Sequence, residues 1–418
     1  MGLTFVFWVT HNSTMDDPMK APAKAGGTAT AGAGPAHPPY GGGDAPLAGI
    51  RVVDLSSYMT GPLAATTLAD LGAEVIKVEP PGGDGFRGFG HKVNGWSALW
   101  SSCNRGRRSI VLDLKQPDDV ATLKELVAQA DVLVENWRPR VAASLGLEPQ
   151  RLQQLNPRLV HLSITGYGDS GPLSGAPAYD SLMQAYCGMA QLQGQGGAPA
   201  VAAYWVVDKV VAAYGAQAVL AALVRRGRTG RGGHVALPML DVTAYFNFSD
   251  MGQHHTFVGD ATPWRKPFDP VVRTADGHLI LAPVNGGQLS RTLKAVDRPD
   301  LKERLLAMRD HGEMIDFFYR QLNEILASQP SAHWLALFEA HDVPAAPVRS
   351  FAEHLTDPQV LHNRIYHELP SPAGLPLRAA RYPARFDGAM LAPAGAPPAV
   401  DADATTVRAA LAAGRTTP

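Results

Sequence analysis

A parallel, doubly wound α/β sheet with a smaller α+β domain behind it is the fold that this 418-residue sequence predicts. Three observations carry the prediction. The folded part opens on an apolar run, an Ala/Leu-rich helical stretch and a second apolar run, which is a β-α-β signature. Short apolar runs then keep alternating with helical patterns as far as Ile164, as strands do when helices cover both faces of a parallel sheet. After about Gln253 the texture changes to a hairpin followed by helices, with no internal repeat.

The elements follow in order. Between Ala21 and Pro46 the chain is almost all Ala, Gly, Pro and Thr, too poor in large apolar side chains to offset its ordering entropy. Residues 1–45 are therefore expected to be a disordered extension. The apolar stretch Leu3–Thr10 has neither a basic flank nor a small-residue cleavage site, and is not read as a signal peptide. The large domain is expected over 46–250. It opens with strand Ile50–Leu55, helix Thr60–Leu71 ended by Gly72, and strand Glu74–Val78 closed by Pro80-Pro-Gly-Gly83. Strand Ser109–Leu112, helix Pro117–Gln129, strand Val132–Val134 and strand Leu159–Ile164 continue the pattern. A small α+β domain is expected over 251–345: two strands around the turn Ala275-Asp-Gly277, then helices at Gly287–Val296, Gly312–Ser328 and Ala332–His341. Residues 346–418 are expected to return to the large domain.

Composition removes whole classes of function. With 37 basic against 38 acidic residues, no bulk charge serves a nucleic-acid or anionic-membrane partner. No apolar run is read as approaching the roughly 20 residues that span a bilayer. Two distant cysteines, Cys103 and Cys187, build neither a disulfide framework nor a metal knuckle, and a reducing cytoplasm is the expected compartment. His234, Asp241 and His254-His255 lack a third ligand at metal spacing, so no metal is expected. The first βα turn, Ser56-Ser-Tyr-Met-Thr-Gly-Pro62, has one glycine where a dinucleotide turn needs three, and no Walker pattern occurs. Neither NAD nor ATP is expected.

Asp208 stands out before any comparison. From Leu159 to Val224 the only charged side chains are Asp169, Asp180, Asp208 and Lys209, where the overall 18% would put about twelve. A carboxylate in such a desert is a helix N-cap or a working group.

Several segments resemble the class III CoA-transferases, a family that includes formyl-CoA transferase, carnitine CoA-transferase and α-methylacyl-CoA racemase. They are Leu47–Leu55, Ala69–Pro81, Asn104–Leu114, Val134-Glu-Asn-Trp-Arg-Pro139, Thr165–Gly168, Gly171-Pro172, Pro177–Asp180, Arg228–Gly232 and Asp357–Val360. The resemblance runs in order over about residues 46 to 390. It implies a Rossmann-like large domain, a smaller α+β domain and a homodimer of two interlocked ring-shaped subunits. It also implies coenzyme A as co-substrate, an acyl-CoA donor and an organic-acid acceptor.

The family's nucleophile is an aspartate that opens a long apolar helix, which matches Val206-Val-Asp208 here. Carboxylates suit the task because an ordinary pKa near 3.9 leaves them ionised without a general base. Asp180 matches a second acidic residue of the transferases; by itself it reads as a first-turn helix acid. In the racemase branch a catalytic histidine stands where this chain has Tyr179, and tyrosine is a poor base at neutral pH. An isomerase of the same fold and a non-catalytic CoA-binding protein are the alternatives. The resemblance further places Leu112 and Lys115 near adenine or the phosphates, and Arg107 and Arg108 on phosphates. Asn136 and Trp137 fall near the pantetheine arm, and Met59 and Thr60 at the thioester end. Read alone, any one of these cations is a solvated strand end. Pro80 and Ser144 replace basic residues of formyl-CoA transferase, and Gly259–Pro270 replaces its tetraglycine loop, which speaks against formyl-CoA and oxalate chemistry.

Overall fold

The computed structural model describes residues 44–194, 198–259 and 269–414. The expected disordered extension, but for its last two residues, and most of the Gly259–Pro270 loop lie outside the described residues. The large sheet is built from β1 (Arg51–Asp54), β2 (Glu74–Glu79), β3 (Arg108–Val111), β4 (Val132–Glu135), β5 (Val160–Thr165) and β6 (Gly233–Pro238). Its order is β3-β2-β1-β4-β5-β6, and every neighbouring pair is parallel. Val53 lies opposite both Ile76 and Leu133, and Leu162 lies opposite both Val134 and Val235. The direction of winding reverses between β1 and β4. In such sheets ligands bind outside the carboxyl ends of the strands at that reversal.

Both faces of the sheet are buried, which is why its strands read as continuous apolar runs. Val52, Val75, Val132, Val134 and Leu162 pack on one side with helices α1 (Thr60–Asp70) and α5 (Val206–Thr229). Val53, Ile76, Ile110 and Leu133 pack on the other with Leu123 and Leu126 of α3 (Pro117–Ala128). On the α1 and α5 side, α4 (Asp180–Tyr186) adds Met183 and α6 (Met239–Met251) adds Met239 and Val242 to the core, and α2 (Ala98–Asn104) packs against α1. Pro117, Asp118 and Asp119 start α3, where a missing N–H and negative charge are both favourable.

One expectation needs correcting. Helix α5 is, by length and composition alone, long and apolar enough to cross a membrane. Asp208 and Lys209 in its first turn obscure this in the sequence. Val207, Val211, Ala216 and Val219 nevertheless join the core against the sheet, and a side chain at Gly215 would meet Leu162 at 3.2 Å. The helix lies close on the sheet because its contact face is small.

The second layer holds β7 (Val271–Arg273), β8 (His278–Leu281) and β9 (Ala345–Pro347), antiparallel in the order β9-β8-β7. Helices α7 (Gly286–Ala295), α8 (Leu301–Ala307), α9 (His311–Leu326) and α10 (Ser331–Ala340) enclose a separate core around Val272, Leu279, Leu281, Phe318, Leu322 and Phe338. The C-terminal helix α11 (Ala404–Gly414) packs Val407 and Leu411 beside β3, whose N–H groups at Ser109 and Val111 donate to Asp403 and Asp401. That covers a sheet edge which would otherwise offer unpaired donors.

Candidate active site

A cleft of about 480 Å³ opens at the carboxyl ends of β1, β4 and β5, at the reversal. The turn after β1 and the loop after β4 meet there and are clasped together. Ser57 N–H donates to Asn136 Oδ1 at 2.9 Å, and Asn136 Nδ2 donates back to the Ser57 carbonyl at 2.9 Å. Tyr58, at φ 64°, sits in the left-handed region, uncommon for a residue with a Cβ, and its ring turns to Phe86 and Phe89. These three rings form one aromatic wall of the cleft. Sequence reasoning missed this wall. Its available signal was Gly85-Phe-Arg-Gly-Phe89, two aromatics in a loop between β2 and α2.

Asp208 occupies the third position of α5, half-buried in the cleft. Trp205 is the N-cap residue, without a side-chain capping bond, so the N-cap reading of Asp208 does not hold. Its carboxylate faces another element: Thr60 Oγ1, at the first turn of α1, donates to Asp208 Oδ1 at 2.5 Å. No hydrogen bond among the described residues reaches Oδ2. Burial pushes the carboxyl up to about 6; the nearby charge of Asp180 adds to this, while the Thr60 hydroxyl and Lys209 oppose it. The result is a carboxylate with one oxygen held and one available, ionised at neutral pH yet poorly solvated.

Asp180 is buried at the start of α4 and holds the α5 terminus. Its Oδ2 accepts the Asp208 backbone N–H at 3.1 Å, satisfying one of the donors that a helix start leaves open. Its Oδ1 accepts from Gln184 Nε2, while Gln184 Oε1 accepts the Ala202 N–H at 2.8 Å. Gln184 thus ties α4 to the segment leading into α5, and was not found from sequence. Tyr179 is exposed and lines the same cleft.

The Thr60 hydroxyl makes a testable claim. In Thr60→Val the hydroxyl is lost at nearly constant shape, and the Asp208 carboxyl is expected to titrate above about 6. Carbon-13 NMR of labelled aspartates measures it; an unchanged titration would mean that Thr60 does not hold the carboxylate.

The cleft brings together Met59, Thr60, Asn136, Trp137, Asp180 and Asp208. Four other expected residues fall elsewhere. Arg107 is an interior group: it pairs with Asp54 and donates to the Pro62 carbonyl at 2.7 Å and to the Cys103 carbonyl at 3.0 Å. Both terminal nitrogens are engaged and the side chain is sealed in the interior, so although Nε has no partner among the described residues it faces no phosphate in the cleft. Arg108 turns back to Glu74 at 2.9 Å, toward the opposite end of the sheet. Leu112 is 1% exposed, inside the core. Lys115 lies just past the end of β3, and is not among the cleft residues. Arg138, not singled out from sequence, does line the cleft; it is exposed, and no carboxylate pairs with it among the described residues.

A family profile described as CoA-transferase family III matches residues 47–404. The chain is 35% identical to an acetyl-CoA:oxalate CoA-transferase of Acetobacter aceti, over 75% of this chain and 83% of that one. It is 34% identical to a succinate–glutarate CoA-transferase of Agrobacterium fabrum, over 81% and 88%. Among solved structures, a hypothetical protein of Mycobacterium tuberculosis superposes with TM-score 0.77 at 29% identity, covering 86% of this chain and 99% of that one. A CAIB/BAIF family protein of Brucella suis gives TM-score 0.76 at 29% identity, covering 87% and 98%.

Proposed function

This chain belongs to CoA-transferase family III, and from that membership we propose that it moves CoA from an acyl-CoA thioester to a small dicarboxylic acid, with Asp208 as covalent carrier. The observation that carries the reading is the Asp208 carboxylate itself, half-buried at the reversal of the sheet, one oxygen held by Thr60 and the other open to the cleft. The strand order β3-β2-β1-β4-β5-β6 supports reading the large domain as Rossmann-like.

The reaction follows as four balanced exchanges. An Asp208 oxygen attacks the donor thioester carbonyl, the C–S bond breaks, and CoA thiolate leaves a mixed anhydride. The thiolate attacks the Asp208 carbonyl carbon, releasing the donor acid and forming an aspartyl-CoA thioester. The acceptor carboxylate displaces the thiolate to give a second anhydride. The thiolate then attacks the acceptor's acyl carbon, and free Asp208 returns. No step requires a base, so a carboxyl that ionises near 6 serves at neutral pH. Asp180 acts as a positioning residue through the Asp208 N–H. In this reading Asn136 and Trp137, which line the cleft, meet the pantetheine arm, and the exposed Arg138 meets CoA phosphates in place of Arg107 and Arg108.

The substrate class comes from relatives named for oxalate, glutarate and mesaconate. The departures at Pro80 and Ser144 spoke against oxalate. With an oxalate-named relative at 35% identity, oxalate returns to the acceptors worth testing. Labelled CoA offered as acetyl-CoA or succinyl-CoA with oxalate, glutarate and mesaconate should appear on one acceptor or more. Absence of transfer across the panel would sink the reading, and deuterium uptake at the α-carbon of a 2-methylacyl-CoA would favour the isomerase instead.

A homodimer is part of this proposal. Tyr245, Phe246, Phe248 and Phe257 stand exposed on and just beyond α6, large apolar side chains that a second subunit would cover. Size exclusion with light scattering should give twice 44.4 kDa; a monomer at micromolar concentration would refute it.

A further inference from the structure

Behind the cleft lies a buried ionic cluster with no role in the steps above. Lys77, on β2, is 1% exposed, among the largest fully buried side chains in the chain. Its Nζ donates to the Ser56 carbonyl at 2.7 Å and stands 3.2 Å from Asp84 and 3.7 Å from Asp54. An ammonium taken out of water persists only where paired and hydrogen-bonded, so its three partners define the site closely. Asp54 also accepts from the Ser56 N–H at 2.9 Å and from the Ser56 hydroxyl. Asp84 Oδ1 accepts the Phe86 N–H at 2.9 Å and faces the Tyr58 N–H at 3.5 Å.

All three partners of Lys77 thus bear on one object, the turn from Ser56 to Met59. That turn holds Tyr58 in a left-handed conformation and runs directly into Thr60. It is also wedged onto α1: a Cβ built at Gly61 would sit 2.3 Å from the Ser56 Cβ. A displacement of Ser56 therefore passes straight to the first turn of α1, whose Thr60 hydroxyl grips Asp208.

We propose that Lys77 is a positioning residue for Asp208: pinned between Asp54 and Asp84, it fixes the Ser56 carbonyl and, through the turn, sets the Thr60 hydroxyl on the Asp208 carboxylate. The functional meaning rests on the CoA-transfer reading; the geometry does not.

The test uses Lys77→Met, which keeps length and removes the charge, and Asp84→Asn, which keeps a side-chain oxygen to accept the Phe86 N–H while weakening the hold on Lys77. Asp180 and Lys209, the charges that act on Asp208, are untouched by either. Carbon-13 titration of Asp208 in the full chain should move upward in Lys77→Met by on the order of one pH unit, and by less in Asp84→Asn. Thr60→Val should move it in the same direction. In the double variant Lys77→Met/Thr60→Val no further shift should appear, because both act through one hydrogen bond. Transfer should fall in the same order, at least about tenfold in Lys77→Met. A folded Lys77→Met with normal Asp208 titration, or full additivity in the double variant, overturns the inference. If Lys77→Met does not fold, Asp84→Asn decides alone: an unmoved Asp208 there overturns it equally. Wild-type protein without any transfer would remove the CoA-transfer reading and leave the titration result standing.

Discussion

Asp208→Asn is expected to abolish CoA transfer, with a loss of roughly 10³-fold or more, while leaving a folded and more stable protein. The amide keeps shape and an oxygen for Thr60 to donate to, but removes the attacking charge. Its effect on stability follows from the titration. Folding lifts the carboxyl from 3.8 to about 6, so at any pH above about 6 the ionised group is less favourable in the folded state than in the unfolded one and subtracts from stability. That penalty is relieved as pH falls from about 6 toward 3.8, where the folded state takes up its proton first. At neutral pH the variant should therefore gain on the order of 1–3 kcal/mol, an advantage that shrinks below pH 6. Denaturant melts at pH 7.5 and pH 5 measure the difference. Wild-type protein incubated with acyl-CoA and hydroxylamine should carry one modified residue, placed on Asp208 by peptide mass spectrometry. Near-normal transfer in the variant would transfer the assignment to Asp180. A loss of stability at pH 7.5 would mean that burial of this charge is not the dominant influence on it.

Arg107→Met should be the most damaging substitution for the fold. Removing one partner of a buried ion pair costs about 3–5 kcal/mol, because the other charge is left without compensation. Here Asp54 would keep only Lys77 at 3.7 Å and the Ser56 donors, and the Pro62 and Cys103 carbonyls would each lose a donor. A melting temperature lower by on the order of 10 °C is expected. A phosphate-binding arginine would behave oppositely, leaving the melt unchanged and raising KM for acyl-CoA. The two outcomes separate an interior role from a ligand role in one pair of measurements.

The difference between those roles marks where sequence reading stops. Strands β1 to β5 and helices α1 and α3 were legible to within a residue or two, because apolar runs and their glycine and proline boundaries are local properties. Strand β6 was not anticipated. It is an edge strand, half-buried, and its Gly-His-Val-Ala-Leu-Pro carries no clean alternation. Helix α8, seven residues long, is too short to show a period. Asp208 was found because charge is scarce around it, a contrast visible along the chain, and Asp180 through the family resemblance. Their relation was not visible: Asp180 reads as an acid of its own helix, yet its carboxylate serves the start of another, 28 residues on.

By itself the sequence determined the layered α/β scaffold, the family, and the carboxylate that stands out in an uncharged stretch. Only the tertiary structure decided which charged groups face the cleft and which are sealed behind it. Arg107 and Arg108 are neighbours in sequence, but one is enclosed by Asp54, Thr66 and two main-chain carbonyls while the other reaches out to Glu74. Thr60 and Asp208 are 148 residues apart and share a hydrogen bond. The physical reason is common to both. Periodicity and boundaries are set by each residue's near neighbours, whereas the cost of burying a charge and the orientation of a polar group are set by partners the fold brings from afar.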